Sequence, residues 1–245
     1  MSARITLAVA GRVLLQLRRD HRTLAMLLVL PCLLVALLAW MYADVGGETF
    51  DRVGPSLLAI FPFVVMFLVT SVTTLRERSS GTLERLLAMP TGRLDLLVGY
   101  ALAFGLVAAV QAALAVGVGV GLLDLDVVGA VWLLGVVAIA DAVLGTALGL
   151  LVSAFARTEF QAVQFMPALV VPQILLCGLF VPRDLLPRAL GVVSDLLPLS
   201  YATDAMLHLS RSATTGEVWK DLAVVAGFAL AGLALGAATL RRRTA

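Results

Sequence analysis

The chain has 245 residues, of which 61% are hydrophobic and 14% are charged, and its mean hydropathy is +1.02. Soluble domains carry about 25% charged residues, so a water-soluble globule of this length has no place for so much apolar surface. The composition excludes a soluble cytosolic enzyme, a disordered chain and a secreted disulfide scaffold. It predicts an all-α protein that crosses a membrane several times.

The first segment, residues 2–22, predicts an amphipathic helix on the inner membrane surface, with its arginines toward anionic headgroups. At helical spacing it has one polar and one apolar stripe: Arg4, Arg12, Gln16 and Arg19 against Ile5, Val9, Val13 and Leu17. A solvated stub that leads into the first span is the alternative.

Six apolar runs follow, each long enough to cross a bilayer as a helix. They cover residues 24–42, 55–75, 94–123, 127–155, 160–181 and 222–240. An even number of spans leaves both termini on one side, and a cytoplasmic location puts 13 of the 18 Lys and Arg residues inside. This orientation satisfies the positive-inside rule, and it places all three tryptophans near the outer interface.

The loop between the second and third runs reads R-E-R-S-S-G-T-L-E-R-L-L-A-M-P over residues 76–90. Gly81 or Thr82 can begin a short helix over residues 82–89. Glu84 suits the first turn of that helix, and Pro90 ends it.

This short helix has an apolar face made by Leu83, Leu86 and Leu87. Eight residues do not hold a helix alone in water, so another surface must cover the leucines. That surface is either the chain's own membrane domain or a groove on a soluble partner. The charged residues that would flank such a groove are Arg78, Glu84 and Arg85.

The segment 182–209, between the fifth and sixth runs, is rich in leucine and proline. Pro187 suits the first turn of a short helix that Pro198 would end, and a second short helix would follow from Tyr201. We expect this pair to re-enter the outer leaflet. An ordinary amphipathic cap at the interface is the alternative.

Asp141 lies in the middle of the fourth apolar run. A charge at that depth is costly, so an intramembrane acid is a functional candidate. The alternative is a protonated acid that donates a hydrogen bond to a neighbouring helix.

Several kinds of chemistry have no support in the sequence. It contains no G-x-x-x-x-G-K-[ST] motif, and its one lysine is Lys220 on the predicted outer side. It has neither H-E-x-x-H nor a cluster of cysteines and histidines for a metal. We therefore expect a non-catalytic chain that has no cofactor of its own and binds no nucleic acid.

Two stretches, taken together, carry a family resemblance. The loop at residues 76–90 resembles a motif of the type-two ABC transporter permease family. The run L-G-L-L-V-S-A-F-A-R-T-E-F-Q-A-V-Q-F-M-P, followed by L-C-G-L-F-V-P-R-D-L-L-P and L-P-L-S-Y-A-T-D-A, resembles the C-terminal signature of that family. The branch looks like the daunorubicin-resistance and related drug or lipid exporters of bacteria.

The resemblance implies a permease of the bacterial cytoplasmic membrane that works as a homodimer, or as a heterodimer with a related permease. Two separate ATPase subunits would bind ATP and Mg²⁺. Residues 2–22 would be the family's connecting helix, residues 82–89 its coupling helix, and residues 182–209 its external re-entrant helices, which gate the exit. The residues implied to contact the ATPase are Arg78, Gly81, Thr82, Leu83, Glu84, Arg85, Leu86 and Leu87.

In such permeases the second and fifth spans flank the central cavity. The residues that the resemblance assigns to the substrate path are Phe63, Met66, Phe67, Gln161, Gln164, Phe165 and Gln173. Aromatic and methionine surface suits a hydrophobic or amphiphilic cargo, a drug or a lipid, and the glutamines can orient its polar end.

Two other functions stay open at this point. One is a proton-coupled secondary transporter that uses Asp141, although no inverted repeat is evident in the sequence. The other is a membrane scaffold for a signalling ATPase, which would move no cargo.

Overall fold

The computed structural model describes residues 2–43, 47–81 and 92–239. Over these residues the chain is all-helical and contains no strand. Six of the described helices are long and apolar enough to cross a membrane, which confirms the six-span plan.

The helices follow one another with short connections. Their bounds are α1 Ala3–Arg19, α2 His21–Tyr42, α3 Gly47–Ser79, α4 Arg93–Gly121, α5 Val131–Val152, α6 Glu159–Leu176, α7 Arg188–Asp195, α8 Pro198–Arg211 and α9 Gly216–Thr239, with a 3₁₀ turn at Arg183–Leu185 before α7. We call α7 and α8 the hairpin. The end of the bundle that carries the hairpin is the hairpin end, and the opposite end, which carries α1, is the α1 end.

Several predicted boundaries differ from those of the helices, and two of the differences have clear local reasons. The predicted fifth span runs to residue 181, but α6 ends at Leu176, and Gly178 then adopts φ +93, a left-handed conformation that glycine tolerates best. Pro198 does not end a helix. It is the first residue of α8, three residues before the predicted start, because proline has no N–H to lose at that position.

Helices α3 and α5 form the centre of the bundle. They run parallel with their backbones in close contact, since Gly145 lies against Phe63 and Gly149 lies four residues further along against Phe67. A Cβ on Gly145 would lie 2.4 Å from the Phe63 carbonyl oxygen. Glycine is therefore required for this approach, and the core of α3, α4, α5, α8 and α9 is packed around it.

Helix α2 contains Pro31, which has no N–H for the carbonyl of Leu27 one turn earlier. The structure supplies a donor from α4, because Gln111 Nε2 lies 2.8 Å from the Leu27 carbonyl oxygen. Both residues are fully buried. The bond satisfies a main-chain group that would otherwise be unpaired in an apolar interior.

Helix α1 packs on α4 at the α1 end. Its predicted apolar stripe turns toward the protein, since Val9, Val13 and Leu17 are buried in the core of the chain. Leu7 and Leu15 lie on the opposite side and are exposed. A sharp break at Asp20 separates α1 from α2, and Asp20 accepts hydrogen bonds from the hydroxyl and the N–H of Thr23. These bonds lower the pKa of Asp20.

Candidate functional site

The α1 end holds an arginine that joins three helices. Arg12 Nη2 lies 2.8 Å from Glu77 Oε2 and 2.7 Å from the Tyr100 hydroxyl, and the guanidinium carbon is 5.7 Å from the Tyr100 ring centroid. Glu77 is in the last turn of α3, and Tyr100 is in the second turn of α4. The Glu77 side chain is 5% exposed, so this ion pair is shielded from water more than surface pairs are.

A second contact fastens the beginning of α1 to the beginning of α4. Asp95 Oδ1 lies 2.8 Å from the Ser2 nitrogen and 3.3 Å from the Thr6 hydroxyl, and Asp95 Oδ2 accepts a hydrogen bond from the N–H of Gly92. One turn later, Gly99 brings α4 close to α1, because a Cβ there would lie 2.7 Å from the Val9 side chain. Helix α1 is therefore held to both helices that flank residues 82–91.

A third link joins α3 to α6 at the same end. Arg76 makes a two-pronged contact with Glu159, with Nε–Oε1 and Nη2–Oε2 distances of 2.8 and 2.9 Å. Both side chains are about half exposed, so the pair contributes less than about 1 kcal/mol to stability. Its geometry nevertheless sets the position of the first turn of α6 relative to the last turn of α3.

The predicted ATPase contact lies mostly outside the described residues. This holds for Thr82, Leu83, Glu84, Arg85, Leu86 and Leu87, and with them for the predicted helix over residues 82–89. Of the remaining two, Arg78 is half-buried in the last turn of α3. Gly81 follows that helix with φ +71, a conformation that ends a helix readily.

The three predicted path residues on α3 lie in the interior of the chain. Phe63, Met66 and Phe67 are at most 1% exposed, and the two aromatic rings stack with centroids 6.5 Å apart. Within one copy of the chain these residues pack α3 against its neighbours. Their assignment to a substrate path stays a prediction.

Two of the predicted glutamines on α6 hold helix ends in place. Thr158 is the N-cap of α6, and its hydroxyl accepts the main-chain N–H of Gln161, while Gln161 Oε1 accepts a hydrogen bond from the N–H of Arg157 at 2.8 Å. Gln173 is 5% exposed, and its Oε1 lies 3.4 Å from the N–H of Leu199 in the first turn of α8.

The other two α6 candidates are accessible. Gln164 is exposed and Phe165 is half-buried. Most side chains around them on α6 are also exposed and apolar, among them Phe160, Val163 and Leu169. Of the seven predicted path residues, Gln164 is the most exposed, and Gln161 and Phe165 are half-buried.

Asp141 is fully buried in the middle of α5. Neither of its carboxyl oxygens has a hydrogen-bond partner among the residues that the structure describes. The alternative of an acid that is hydrogen-bonded to a neighbouring helix therefore finds no partner in this arrangement, and the functional alternative stays a prediction.

The hairpin end has its own polar cluster. Arg183 Nη2 lies 2.5 Å from Asp195 Oδ1, and Nη1 donates to Asp204 Oδ2. The same guanidinium stacks over Tyr201, with its carbon 5.2 Å from the ring centroid. Burial raises the pKa of Asp204 above its ordinary value, and the positive charge of Arg183 opposes that rise.

Sequence reasoning missed both arginine clusters. The sequence analysis predicts that Arg12 faces lipid headgroups, and it predicts no partner for Glu77, Tyr100 or Arg183. The partners lie 65 and 88 residues from Arg12 in the chain, and no spacing rule connects positions so far apart. The available signal was the occurrence of single charges at the edges of apolar runs, where an unpaired charge is costly.

Comparison with known proteins agrees with the architecture. The family described as ABC-2 type transporter matches residues 5–209. A probable multidrug ABC transporter permease of Escherichia coli, YbhR, is 28% identical over 169 residues, which is 69% of this chain and 46% of the relative. ABC transporter G family member 20 of Dictyostelium discoideum is 24% identical over 188 residues, 76% of this chain and 26% of the relative. The chain thus spans less than half the length of these relatives.

Proposed function

The chain belongs to the ABC-2 type transporter family, and we propose that it is the membrane-spanning subunit of an ATP-driven exporter. The cargo is a hydrophobic or amphiphilic molecule, a drug or a lipid, that leaves across the cytoplasmic membrane of a bacterium. Both chain termini face the cytoplasm. The name of the Escherichia coli relative, a probable multidrug ABC transporter permease, supports the cargo class.

The energy for transport comes from other chains. Two ABC ATPase subunits bind ATP and Mg²⁺, and a second permease copy, identical or related, completes the membrane part. Residues 82–89 dock on the ATPase through Leu83, Leu86 and Leu87. The family supports these partners.

One observation carries the mechanism: Arg12 binds both helices that flank the docking segment. Glu77 ends α3 before this segment, and Tyr100 lies in α4 after it. A push on residues 82–91 therefore reaches α3, α4 and α1 through direct polar contacts. The contacts at Asp95 and at Arg76–Glu159 extend the same connection to the beginnings of α1 and α6.

The cargo path runs along α6 in this proposal. Gln164 and Phe165 contact the cargo, while Phe63, Met66 and Phe67 support the path by packing α3. Gln164 is exposed and Phe165 is half-buried, whereas the three α3 residues are buried, and this difference supports the division.

The test is reconstitution of the chain with its ATPase in vesicles and measurement of ATP-dependent cargo movement. Arg12→Ala should reduce transport about tenfold or more while ATP hydrolysis continues. The reason is that the variant loses the contact by which α1, α3 and α4 would connect the ATPase to the cargo path. Arg18→Ala is the matched control, since Arg18 is exposed on α1 and forms no ion pair within the described residues. Transport by Arg12→Ala at the unmodified rate contradicts the proposed mechanism.

A proton-coupled transporter is the second candidate, and the unpartnered carboxyl of Asp141 is the observation that favours it. In that case a proton gradient drives transport without ATP, and Asp141→Asn abolishes it. ATP-dependent export that survives Asp141→Asn excludes this candidate. Failure to move any cargo with ATP or with a gradient would leave the scaffold role.

A further inference from the structure

The hairpin is attached to the end of α6 by main-chain contacts. The last carbonyl groups of a helix have no partner within it. Here the hairpin provides donors, because Ser194 Oγ lies 2.8 Å from the Leu176 carbonyl oxygen and Thr203 Oγ1 lies 2.6 Å from that of Cys177. Residues of both α7 and α8 thereby complete the end of α6.

Arg183 adds the only side-chain ion pairs that the described residues show within this region. It comes directly after Pro182, in the connection that leaves α6, and its two carboxylate partners lie on different helices of the hairpin. Asp195 is the last residue of α7, and Asp204 is in the middle of α8. One side chain therefore binds the connection, α7 and α8 together. The Arg183 side chain is 17% exposed, whereas its partners Asp195 and Asp204 are 66% and 37% exposed, so water reaches both ion pairs from the carboxylate side.

The thiol of Cys177 lies beneath this arrangement. It is fully buried, and its Sγ donates to the carbonyl of Ile174. Helix α8 lies directly against this residue, because Thr203 Oγ1 is 2.6 Å from the Cys177 carbonyl oxygen. Separation of the hairpin from α6 would therefore uncover Cys177.

We propose that Arg183 is a positioning residue that fastens the hairpin to the outer end of α6 and keeps that end sealed. Opening of the exit for cargo then requires the two ion pairs of Arg183 to break. The seal is a property of this chain alone, whereas its part in export rests on the proposed function.

The surroundings leave room for such a movement. A cavity of about 330 Å³ lies beside Arg183, between the connection and α8. Its charged and titratable lining residues are Arg183, Asp184, Asp204, His208 and Arg211. When the guanidinium leaves Asp204, it can therefore bind water or the carboxylate of Asp184, which also lines the cavity. The charged side chain then does not have to enter an apolar space without a partner.

The test uses Cys177 as the reporter in a Cys32→Ala background, with the purified chain in lipid nanodiscs. The rate of reaction with a membrane-impermeant maleimide at fixed pH measures how often the seal opens. Arg183→Ala should raise this rate about tenfold, and Arg183→Lys should raise it less, because a lysine cannot bridge two carboxylates as a planar guanidinium does. Arg188→Ala is the matched control and should leave the rate unchanged, since Arg188 has no ion pair within the described ranges.

Two further measurements separate a local seal from general stability. In a Cys177→Ala background, Cys32 in α2 reports loosening of the whole bundle to a membrane-permeant maleimide. A rise at Cys177 without a rise at Cys32 supports the proposal, while equal rises at both, or no rise at Cys177, overturn it. If Arg183→Ala does not fold, the double variant Asp195→Asn, Asp204→Asn removes the same ion pairs and is judged in the same way. The assay needs neither ATPase nor cargo, so its failure is distinct from failure of the proposed exporter.

Discussion

At the residue scale, polar side chains in this apolar chain do the work of repairing the backbone. Gln111 illustrates this, because its side-chain amide donates to the Leu27 carbonyl of α2, for which Pro31 has no N–H. The side-chain oxygens of Gln161 and Gln173 act similarly, because they accept from the N–H groups of Arg157, just before α6, and of Leu199, in the first turn of α8. Each glutamine is thus explained by a helix defect or a helix end nearby, and a cargo is not needed to account for these three positions.

Gln111→Leu should lower the free energy of unfolding by about 1–3 kcal/mol, because the buried Leu27 carbonyl then has no donor. Thermal or denaturant unfolding of the detergent-solubilised chain measures the change. In a Pro31→Ala background the new N–H of residue 31 satisfies that carbonyl, so the same substitution should cost little or nothing. An equal cost in both backgrounds would show that the Gln111 bond does not compensate for the proline.

At the element scale, close contact between helices depends on a few glycines. Gly145 and Gly149 bring α5 against the backbone of α3, whereas Gly135 on the same helix has no atom within 4 Å of where its Cβ would be. Small residues on one helix face therefore differ in importance, and only the structure shows which of them touch a neighbour.

Gly145→Ala should destabilise the chain by about 1–3 kcal/mol, because the added methyl group would overlap the Phe63 carbonyl and force α3 and α5 apart. Gly135→Ala is the matched control. It should be neutral or slightly stabilising, since alanine favours a helix more than glycine does. The measurement is the unfolding midpoint of each variant compared with that of the unmodified chain. Similar midpoints for the two variants would contradict the close approach of α3 and α5.

At the scale of the whole molecule, the sequence was sufficient for the architecture. Runs of apolar residues predict spanning helices because lipid offers no partner for a free backbone amide, and the six candidate spans are confirmed. Local chemistry was harder to predict. Phe63, Met66 and Phe67 look the same in sequence whether they line a path or fill a core. The partners of Arg12 are distant in sequence, and those of Arg183 lie on two different helices, so neither set can be predicted without the folded structure.

Leu83→Asp should leave membrane insertion intact and abolish ATP-dependent export, because a charged side chain on the predicted apolar face of residues 82–89 would oppose docking in the proposed hydrophobic groove. Co-purification with the ATPase and cargo movement in vesicles are the two measurements. Insertion with normal export would show that this segment transmits nothing. Arg4→Ala, a change at an exposed position of α1, controls for a general effect of altered charge at this end.

The parallel course of α3 and α5 has a mechanical consequence. Where two backbones touch at successive turns, no layer of side chains lies between them, so we expect α3 and α5 to move as one rigid unit. This unit holds Glu77 at one end, and α3 packs on α8 of the hairpin. A displacement that begins at Glu77 is therefore expected to reach α8 through the α3–α5 pair.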